Sequence, residues 1–177
     1  ITRRDGQVMD KVKAKAAIIG GLALLGGLLP ASVSHASTLP LNTPCQGTAA
    51  RVHVSGFKDR VGNLRVQVYG NDPADFLESG RKIVRVEGQV SPAGTMDVCV
   101  PLPGPGTYAL VVLHDRDGNG KLSVWSDGVG FSRNPRLGLS KPDFDKVKVT
   151  LPAGTTNVDV VLNYRQGLSV RPLKNAG

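Results

Sequence analysis

Seven stretches of the chain have the apolar pattern of strands, and apolar and polar residues alternate along six of them, with Gly, Pro, Asn, Asp or Ser between the stretches. A period of two is typical of strands that bury one face and leave the other in water. Residues 107–115 are instead apolar on both faces in their middle, which indicates a central strand. The predicted strands are residues 50–57, 63–69, 83–90, 95–102, 107–115, 144–151 and 156–164.

This pattern predicts an all-β domain, a seven-stranded antiparallel β-sandwich in which two sheets bury one face each against the other. Immunoglobulin-like and transthyretin-like topologies both fit the spacing of the strands. The helical signal is short: Asp72 as an N-cap, Pro73 at the first helical position and Gly80 as a stop predict one or two turns.

The first 36 residues have the pattern of a secretory signal peptide. Three lysines precede the uncharged apolar run 16–29, and small residues at positions 34 and 36 predict cleavage after Ala36. Met9 is placed to be the initiator, which would make residues 1–8 an extension. The alternative is a membrane anchor, but the apolar run is shorter than the roughly 20 residues that span a bilayer.

Cleavage would leave an extended leader at residues 37–47, a β-sandwich domain at 48–165 and a polar, flexible tail at 166–177. The product is expected to be periplasmic or secreted, without stable membrane insertion. Five of the 22 Lys and Arg and two of the 14 Asp and Glu lie in the first 36 residues, so the net charge falls from +8 to +5. The remaining basic residues are scattered and aromatics are few, which disfavours nucleic acid as a partner. An unknown envelope or extracellular ligand is expected, and the oligomeric state is left open.

Cys45 and Cys99 are the two cysteines of the chain. In an oxidising compartment a pair is most simply one disulfide, and closing this long loop would contribute roughly 4 kcal/mol in the chain-entropy model. Two free thiols are the alternative. Cys99 falls on the face opposite Met96 and Val98, so the leader is expected to cross an outer surface or an edge of a sheet.

Oxygen-bearing side chains recur at alternate positions just after the predicted central strand. Asp115, Asp117 and Asn119 occupy positions 1, 3 and 5 of a Ca²⁺-binding loop pattern, and Gly120 stands at position 6, where the chain turns tightly. The predicted metal ligands are Asp115, Asp117, Asn119, Lys121, Ser123 and Asp127.

The second half of the loop departs from an EF-hand. Lys121 would offer its backbone carbonyl, and Ser123 its hydroxyl, directly or through a water. Position 12, where an EF-hand supplies a bidentate Glu, is Ser126, and Asp127 follows one residue later. With fewer charges the affinity for Ca²⁺ is expected near about 10⁻⁴ to 10⁻³ M. The alternative is a metal-free polar turn, in which Lys121 offsets part of the repulsion between the carboxylates.

Two motifs together resemble a known family. Residues 108–122 read Tyr-Ala-Leu-Val-Val-Leu-His-Asp-Arg-Asp-Gly-Asn-Gly-Lys-Leu, and residues 128–134 read Gly-Val-Gly-Phe-Ser-Arg-Asn. This combination is similar to the bacterial exported family catalogued as domain of unknown function 2141, over residues 48–164. The resemblance implies a small exported β-sandwich without an established biochemical role. Members often carry an acidic residue shortly before Gly-Phe-Ser, which Asp127 matches here.

Trp125, Phe131, Arg133 and Arg136 follow or flank the loop and form a candidate ligand surface. Aromatic faces bind carbohydrates, and paired arginines suit carboxylates or phosphates, although a lone Trp is also a common core residue.

No histidine cluster, paired acid and base, or Gly-x-Ser-x-Gly motif is present, so a non-enzymatic module is expected. A weak hydrolase using Asp115 and Asp117 is the remaining alternative.

Overall fold

The structure, a computed structural model, describes residues 37–174. The predicted signal peptide and the last three residues lie outside this part, so cleavage after Ala36 stays a prediction. Within residues 37–174 no helix is long and apolar enough to cross a membrane. The strands are β1 (Thr38–Pro40), β2 (Ala49–Ser55), β3 (Asn63–Tyr69), β4 (Val84–Gln89), β5 (Met96–Pro101), β6 (Gly106–Asp115), β7 (Gly128–Phe131), β8 (Val149–Leu151), β9 (Thr155–Val161), β10 (Asn163–Gln166) and β11 (Ser169–Pro172).

The strands form two sheets, which confirms an all-β domain with a sandwich arrangement. The large sheet has the order β1-β4-β3-β6-β7-β10-β11, with β8 paired to the first part of β6, and the small sheet has the order β5-β2-β9. The prediction of a wholly antiparallel sandwich is corrected, since β1 is parallel to β4 and β2 is parallel to β9. Apolar alternation reports which face of a strand is buried and contains no information about its neighbours.

The main apolar core lies between the two sheets. Alternate residues of each strand enter it, as the sequence pattern predicts. From the small sheet the core receives Ala50, Val52, Val54, Met96, Val98, Val100, Val158 and Val160, and from the large sheet Leu64, Val66, Val68, Val86, Tyr108, Leu110 and Val112.

A second apolar cluster covers part of the outer face of the large sheet. It consists of Tyr69, Phe76, Ala109, Val111, Phe131, Phe144 and Val147. Strand β6 therefore has buried residues on both faces, with Leu110 and Val112 in the main core and Ala109 and Val111 in the second cluster. This confirms β6 as a central strand. It also means that part of the outer face of the large sheet is covered by apolar side chains rather than exposed to solvent.

The predicted strand 144–151 is a short helix followed by a shorter strand. Helix α1 spans Phe144–Val147 and β8 spans Val149–Leu151. Phe144 and Val147 stand three residues apart, so one turn of helix points both into the second cluster. The predicted helical turn near Asp72 is a 3-10 helix at Pro73–Asp75, and the Asp72 carboxylate accepts a hydrogen bond from the Ala74 N–H at 2.9 Å.

Two further boundaries differ from the prediction. The predicted strand 156–164 is divided into β9 and β10, which belong to different sheets, because the chain crosses from one sheet to the other at Leu162. The predicted flexible tail contains β11, which pairs with β10 as an antiparallel hairpin. Gly167 at its turn has φ +64°, a conformation that glycine adopts without steric cost.

The leader joins the edges of both sheets. Its strand β1 extends the large sheet beyond β4, and Cys45 forms a disulfide with Cys99 of β5 in the small sheet, with Cα atoms 5.2 Å apart. Leu39 and Leu41 pack against the main core. The predicted disulfide and the course of the leader over a sheet edge are therefore found in the structure, and covered edges oppose aggregation between strands.

Candidate metal centre

The predicted metal loop connects two neighbouring antiparallel strands. β6 ends at Asp115 and β7 begins at Gly128. His114 pairs with Gly128 in the register of these strands, so Asp115 and Asp127 leave the sheet opposite each other at the mouth of the loop. This pairing explains how an acidic residue twelve positions beyond Asp115 returns to it. The flanking strands also distinguish the loop from an EF-hand, whose loop lies between helices.

Three carboxylates converge at this mouth. Asp115, Asp117 and Asp127 each place one oxygen so that all three lie within 4.8 Å of one another. Asp115 is 1 % exposed and Asp127 is 3 % exposed, whereas Asp117 is on the surface. Carboxylates at such separations repel one another unless positive charge or hydrogen-bond donors compensate them. The distribution of donors therefore decides what the cluster can bind.

Asp115 is compensated on one oxygen. Its Oδ2 atom accepts a hydrogen bond from the Gly120 N–H at 2.9 Å. Its Oδ1 atom is buried and has no hydrogen-bond partner among residues 37–174. A buried carboxylate oxygen without a donor is costly, and its desolvation must be offset by another group.

Asp117 is held by the residues predicted to share the metal with it. Its Oδ1 accepts from the Asn119 N–H at 3.1 Å, and its Oδ2 accepts from the Asn119 Nδ2 at 2.8 Å and from the Ser123 hydroxyl at 2.9 Å. Hydrogen bonds from the Asn119 backbone and then from Ser123 hold the pKa of Asp117 below its usual range. The carboxylate is thus kept ionised at the surface of the loop. The Lys121 N–H donates to the Asn119 Oδ1 at 2.7 Å, which fixes the turn between them.

Asp127 closes the loop. Its Oδ1 accepts from the Arg116 N–H at 3.0 Å and from the Ser126 hydroxyl at 3.0 Å, and its Oδ2 accepts from the Ser123 N–H at 2.8 Å. The carboxylate therefore links the start, the middle and the end of the loop. The structure brings together the predicted residues Asp115, Asp117 and Asp127, with Asn119 and Ser123 bonded to Asp117.

Arg65 is a neighbour of the loop that the sequence interpretation missed. This β3 residue is 6 % exposed; it donates to the Gly120 carbonyl at 2.7 Å and to the Glu87 carboxylate at 2.5 Å. Its Nη2 atom lies 4.0 Å from the Oδ2 atom of Asp115. The alternating pattern placed Arg65 on an outward face, but it contains no information that the loop covers that face. Only the apolar character of both faces of β6 hinted at a covered outer surface.

A second ion pair anchors the other side of the loop. Arg116 donates to the Asp59 carboxylate through its Nε atom, at 2.9 Å from Oδ2, and to the Ser126 carbonyl through Nη1 at 2.9 Å. The Arg116 side chain holds the pKa of Asp59 below its usual range, and Asp59 in turn raises the pKa of Arg116. Gly62 lies where the Asp59 segment meets the loop, and a Cβ atom there would stand 2.2 Å from the Asp115 carbonyl oxygen. This close approach requires glycine.

The side chain of His114, the residue before the loop, packs against Phe57 and Tyr164, and its Nε2 atom lies 4.0 Å from the Oδ1 atom of Asp59. It is 0 % exposed; its Nε2 atom lies 2.8 Å from the Val61 carbonyl oxygen and its Nδ1 atom 2.6 Å from the Tyr164 hydroxyl. A carbonyl only accepts, so Nε2 carries the proton and Nδ1 accepts from Tyr164. The Tyr164 oxygen accepts in turn from the Lys58 N–H at 3.1 Å. Burial is the main cause that lowers the pKa of His114 and raises the pKa of Tyr164 to about 12.

The candidate ligand surface does not form as a shared aromatic face. Trp125 is 76 % exposed, and the Arg165 guanidinium lies 3.5 Å from the centre of its ring. Phe131 is buried in the second cluster. Arg133 donates to the Asp145 carbonyl at 3.0 Å, and Arg136 is on the surface. The alternation along β7 turns Phe131 into the second cluster, whereas Trp125 stays exposed.

The fold and the site together define a class of protein: a small β-sandwich that carries an acidic loop between two strands of its larger sheet. The chain belongs to the family described as "uncharacterized protein conserved in bacteria (DUF2141)", whose family profile matches residues 52–159. This confirms the resemblance drawn from the loop motifs. No curated protein and no solved structure matches the chain.

Proposed function

We propose that the protein is an exported, non-enzymatic β-sandwich module that binds Ca²⁺ at the loop 115–127 and contacts an envelope or extracellular ligand. The main support for a cation is the buried Oδ1 atom of Asp115, which lacks a hydrogen-bond partner among the residues that the structure describes. A cation beside Asp117 and Asp127 would supply the missing compensation.

The chemistry of the donors favours calcium over other metals. The converging groups are carboxylate oxygens, with the Ser123 hydroxyl beside them. Hard oxygen ligands suit Ca²⁺ and Mg²⁺, and the irregular loop suits the flexible coordination of Ca²⁺ better than the octahedron that Mg²⁺ demands. His114 is committed to Val61 and Tyr164, so it offers no nitrogen to a zinc ion.

A metal-free interaction domain is the second candidate, and Arg65 favours it. The guanidinium stands 4.0 Å from Asp115 and supplies a positive charge that a cation would otherwise provide. In this case the donors from Gly120, Ser123 and Arg116 suffice to hold the loop.

Thermal unfolding at increasing Ca²⁺ separates the two candidates. With a dissociation constant of about 1 mM, about 10 mM Ca²⁺ stabilises the folded state by roughly 1.4 kcal/mol, which raises Tm by about 5 °C. Asp115→Asn and Asp117→Ala should lose this response. The control Asp159→Asn changes an exposed carboxylate on β9, outside the loop, and should keep it.

Equal concentrations of Mg²⁺ should give a smaller shift, which excludes a general effect of divalent salt. Absence of a Ca²⁺-dependent shift in the unsubstituted protein, or an equal shift in Asp117→Ala, would favour the metal-free domain. Export is tested separately: after expression in a bacterium, N-terminal sequencing of the periplasmic product should begin at Ser37.

A further inference from the structure

A groove of about 450 Å³ lies on the outer face of the large sheet, beside the metal loop. Its floor is formed by β3, β6 and β7, and one wall is the segment 120–124 of the loop. The segment 137–142 is a further part of its lining. Three apolar side chains at its sides are substantially exposed: Leu122 (48 %), Val124 (52 %) and Leu139 (67 %).

The register of the strands gives the floor a polarity. One row across the sheet runs Arg85, Gln67, Val111 and Phe131, and the next runs Glu87, Arg65, Leu113 and Val129. Both rows begin with charged or polar residues on β4 and β3, and both end with apolar residues on β6 and β7. The groove therefore has a charged end and an apolar end.

The charge at the polar end is positive. Arg65 and Arg85 line this end, and no Asp or Glu of the described residues lines the groove. Two other cations of the lining are engaged elsewhere: Lys141 pairs with Glu78 at 3.5 Å, and Arg165, on the β7 side of the sheet, stacks on Trp125. Glu87 lies nearby, but it is engaged by Arg65 at 2.5 Å. Burial is the largest cause that lowers the pKa of Arg85, and the positive charge of Arg65 is the next. The negative charge of Glu87 raises the pKa of Arg85 by a smaller amount. The field at this end thus favours an anion.

Two of the guanidinium groups have donors that nothing in the described chain uses. The Nε atoms of Arg65 and Arg85 are buried, and neither has a hydrogen-bond partner among residues 37–174. Arg65 itself is more than nine-tenths buried. A buried N–H without an acceptor is costly, and the edge of a guanidinium that includes Nε matches the two oxygens of a carboxylate.

We propose that this groove binds a single-chain amphiphile with a carboxylate head, such as a fatty acid. The carboxylate lies at the Arg85 guanidinium, and the alkyl chain runs over Val111, Leu113 and Val129 beside the exposed side chains of Leu122, Val124 and Leu139. The size of the groove suits one chain, because ligand sites usually enclose about 300–1,000 Å³ for molecules of this order. The groove shares the segment 120–124 and Arg65 with the surroundings of the metal loop, but the proposed carboxylate contact at Arg85 lies outside the loop.

Calorimetric titration of the purified protein with dodecanoate, below its micelle concentration, tests this site. One molecule should bind per chain. Dodecyltrimethylammonium, which has the same chain and the opposite charge, should bind at least about tenfold more weakly. Acetate, which lacks the chain, should show no binding.

Variants locate the two ends of the ligand. Arg85→Gln should lower the affinity for dodecanoate by about tenfold or more. The control variant Arg51→Gln, on the exposed face of the small sheet, should leave this affinity unchanged. Leu139→Asn should lower the affinity for dodecanoate about threefold. Its control is Leu168→Asn, since Leu168 is 85 % exposed and lies outside the groove lining. Leu139 is largely exposed, so this variant remains informative even where Arg85→Gln fails to fold.

Equal binding of the anionic and cationic amphiphiles would overturn the proposal, as would equal losses in the groove variants and their controls. A groove covered by a second copy of the chain is the other outcome to detect. In that case Leu139→Asn would convert a dimer to a monomer in sedimentation, and dodecanoate would not bind.

Discussion

The Arg65 guanidinium donates a 2.7 Å hydrogen bond to the carbonyl oxygen of Gly120. This contact joins β3, on the floor of the groove, to the tight turn of the metal loop. Arg65 also holds Glu87 and lies 4.0 Å from Asp115. One buried side chain thus participates in both proposed sites, which makes it the most informative position to change.

Arg65→Met should lower the free energy of unfolding by about 3 kcal/mol, because it leaves Glu87 and Asp115 without their shared counter-charge. It should also increase Ca²⁺ affinity, since a positive charge near the loop is removed. Denaturant unfolding with and without Ca²⁺ measures both effects. Arg51→Met changes an exposed arginine on the small sheet and serves as the control. Stability equal to that of the unsubstituted protein would contradict the role given to Arg65.

Gly62→Ala should be far more destabilising than an ordinary glycine substitution. Gly62 has φ +83°, and an added Cβ would meet the Asp115 carbonyl oxygen at 2.2 Å. Gly154 has φ +90° with no atom of the described residues within 4 Å of an added Cβ. Gly154→Ala should therefore cost only the backbone strain, about 1 kcal/mol, and Gly62→Ala at least about 3 kcal/mol. Chemical denaturation distinguishes them, and equal losses would show that the approach at Gly62 relaxes.

Replacing both cysteines by serine should lower the free energy of unfolding by roughly 4 kcal/mol, since the bridge closes a loop with a sequence separation of 54. The leader should also loosen, because Cys45 ties it to β5. Hydrogen exchange in β1 reports this change. Reductant should produce the same loss in the unsubstituted protein and none in the double variant. A leader that stays protected without the bridge would show that β1 pairing and Leu39 packing suffice.

Acid should destabilise the fold through His114. Burial is the largest cause that holds the pKa of His114 below its ordinary value of 6.5, and Arg116 acts in the same direction. The hydrogen bond to Val61 and the charges of Asp59 and Asp127 oppose this effect. Below about pH 6.5, His114 binds a proton more readily in the unfolded chain than in the folded chain. The free energy of unfolding therefore decreases as the pH falls, by at most about 1.4 kcal/mol per pH unit.

This pH dependence is measured by denaturant unfolding between about pH 7.5 and 5.5, above the range in which carboxylates titrate. A chelator in the buffer excludes metal binding. His114→Gln should remove most of the slope. His53→Gln changes the partly exposed histidine that faces Asp97 on the small sheet, and it should retain the slope. If the pH dependence of the free energy of unfolding is unchanged in His114→Gln, the protonation responsible occurs at another group.

The periodicity of apolar residues located most of the strands, and the count of two cysteines predicted the disulfide. Both predictions depend only on the sequence itself. The same is true of Asp115 and Asp117, whose spacing follows a known loop geometry. Periodicity misjudged residues 144–147, where Phe144 and Val147 suit one helical turn as well as a strand. It also missed Arg65 and Arg85, since polar residues on the outward face of a strand have the same pattern whether water or another segment covers them.

The order of residues along the chain was enough to establish a β-rich domain, a cysteine pair available for bridging and an acidic turn after the central strand. These properties depend on neighbours within a few positions, or on residues with only one available partner. Only the folded chain placed Asp127 opposite Asp115, set Arg65 against the Gly120 carbonyl and gave the outer groove a basic end. Each of those contacts depends on which strands are adjacent, and strand adjacency follows from packing that local patterns do not encode.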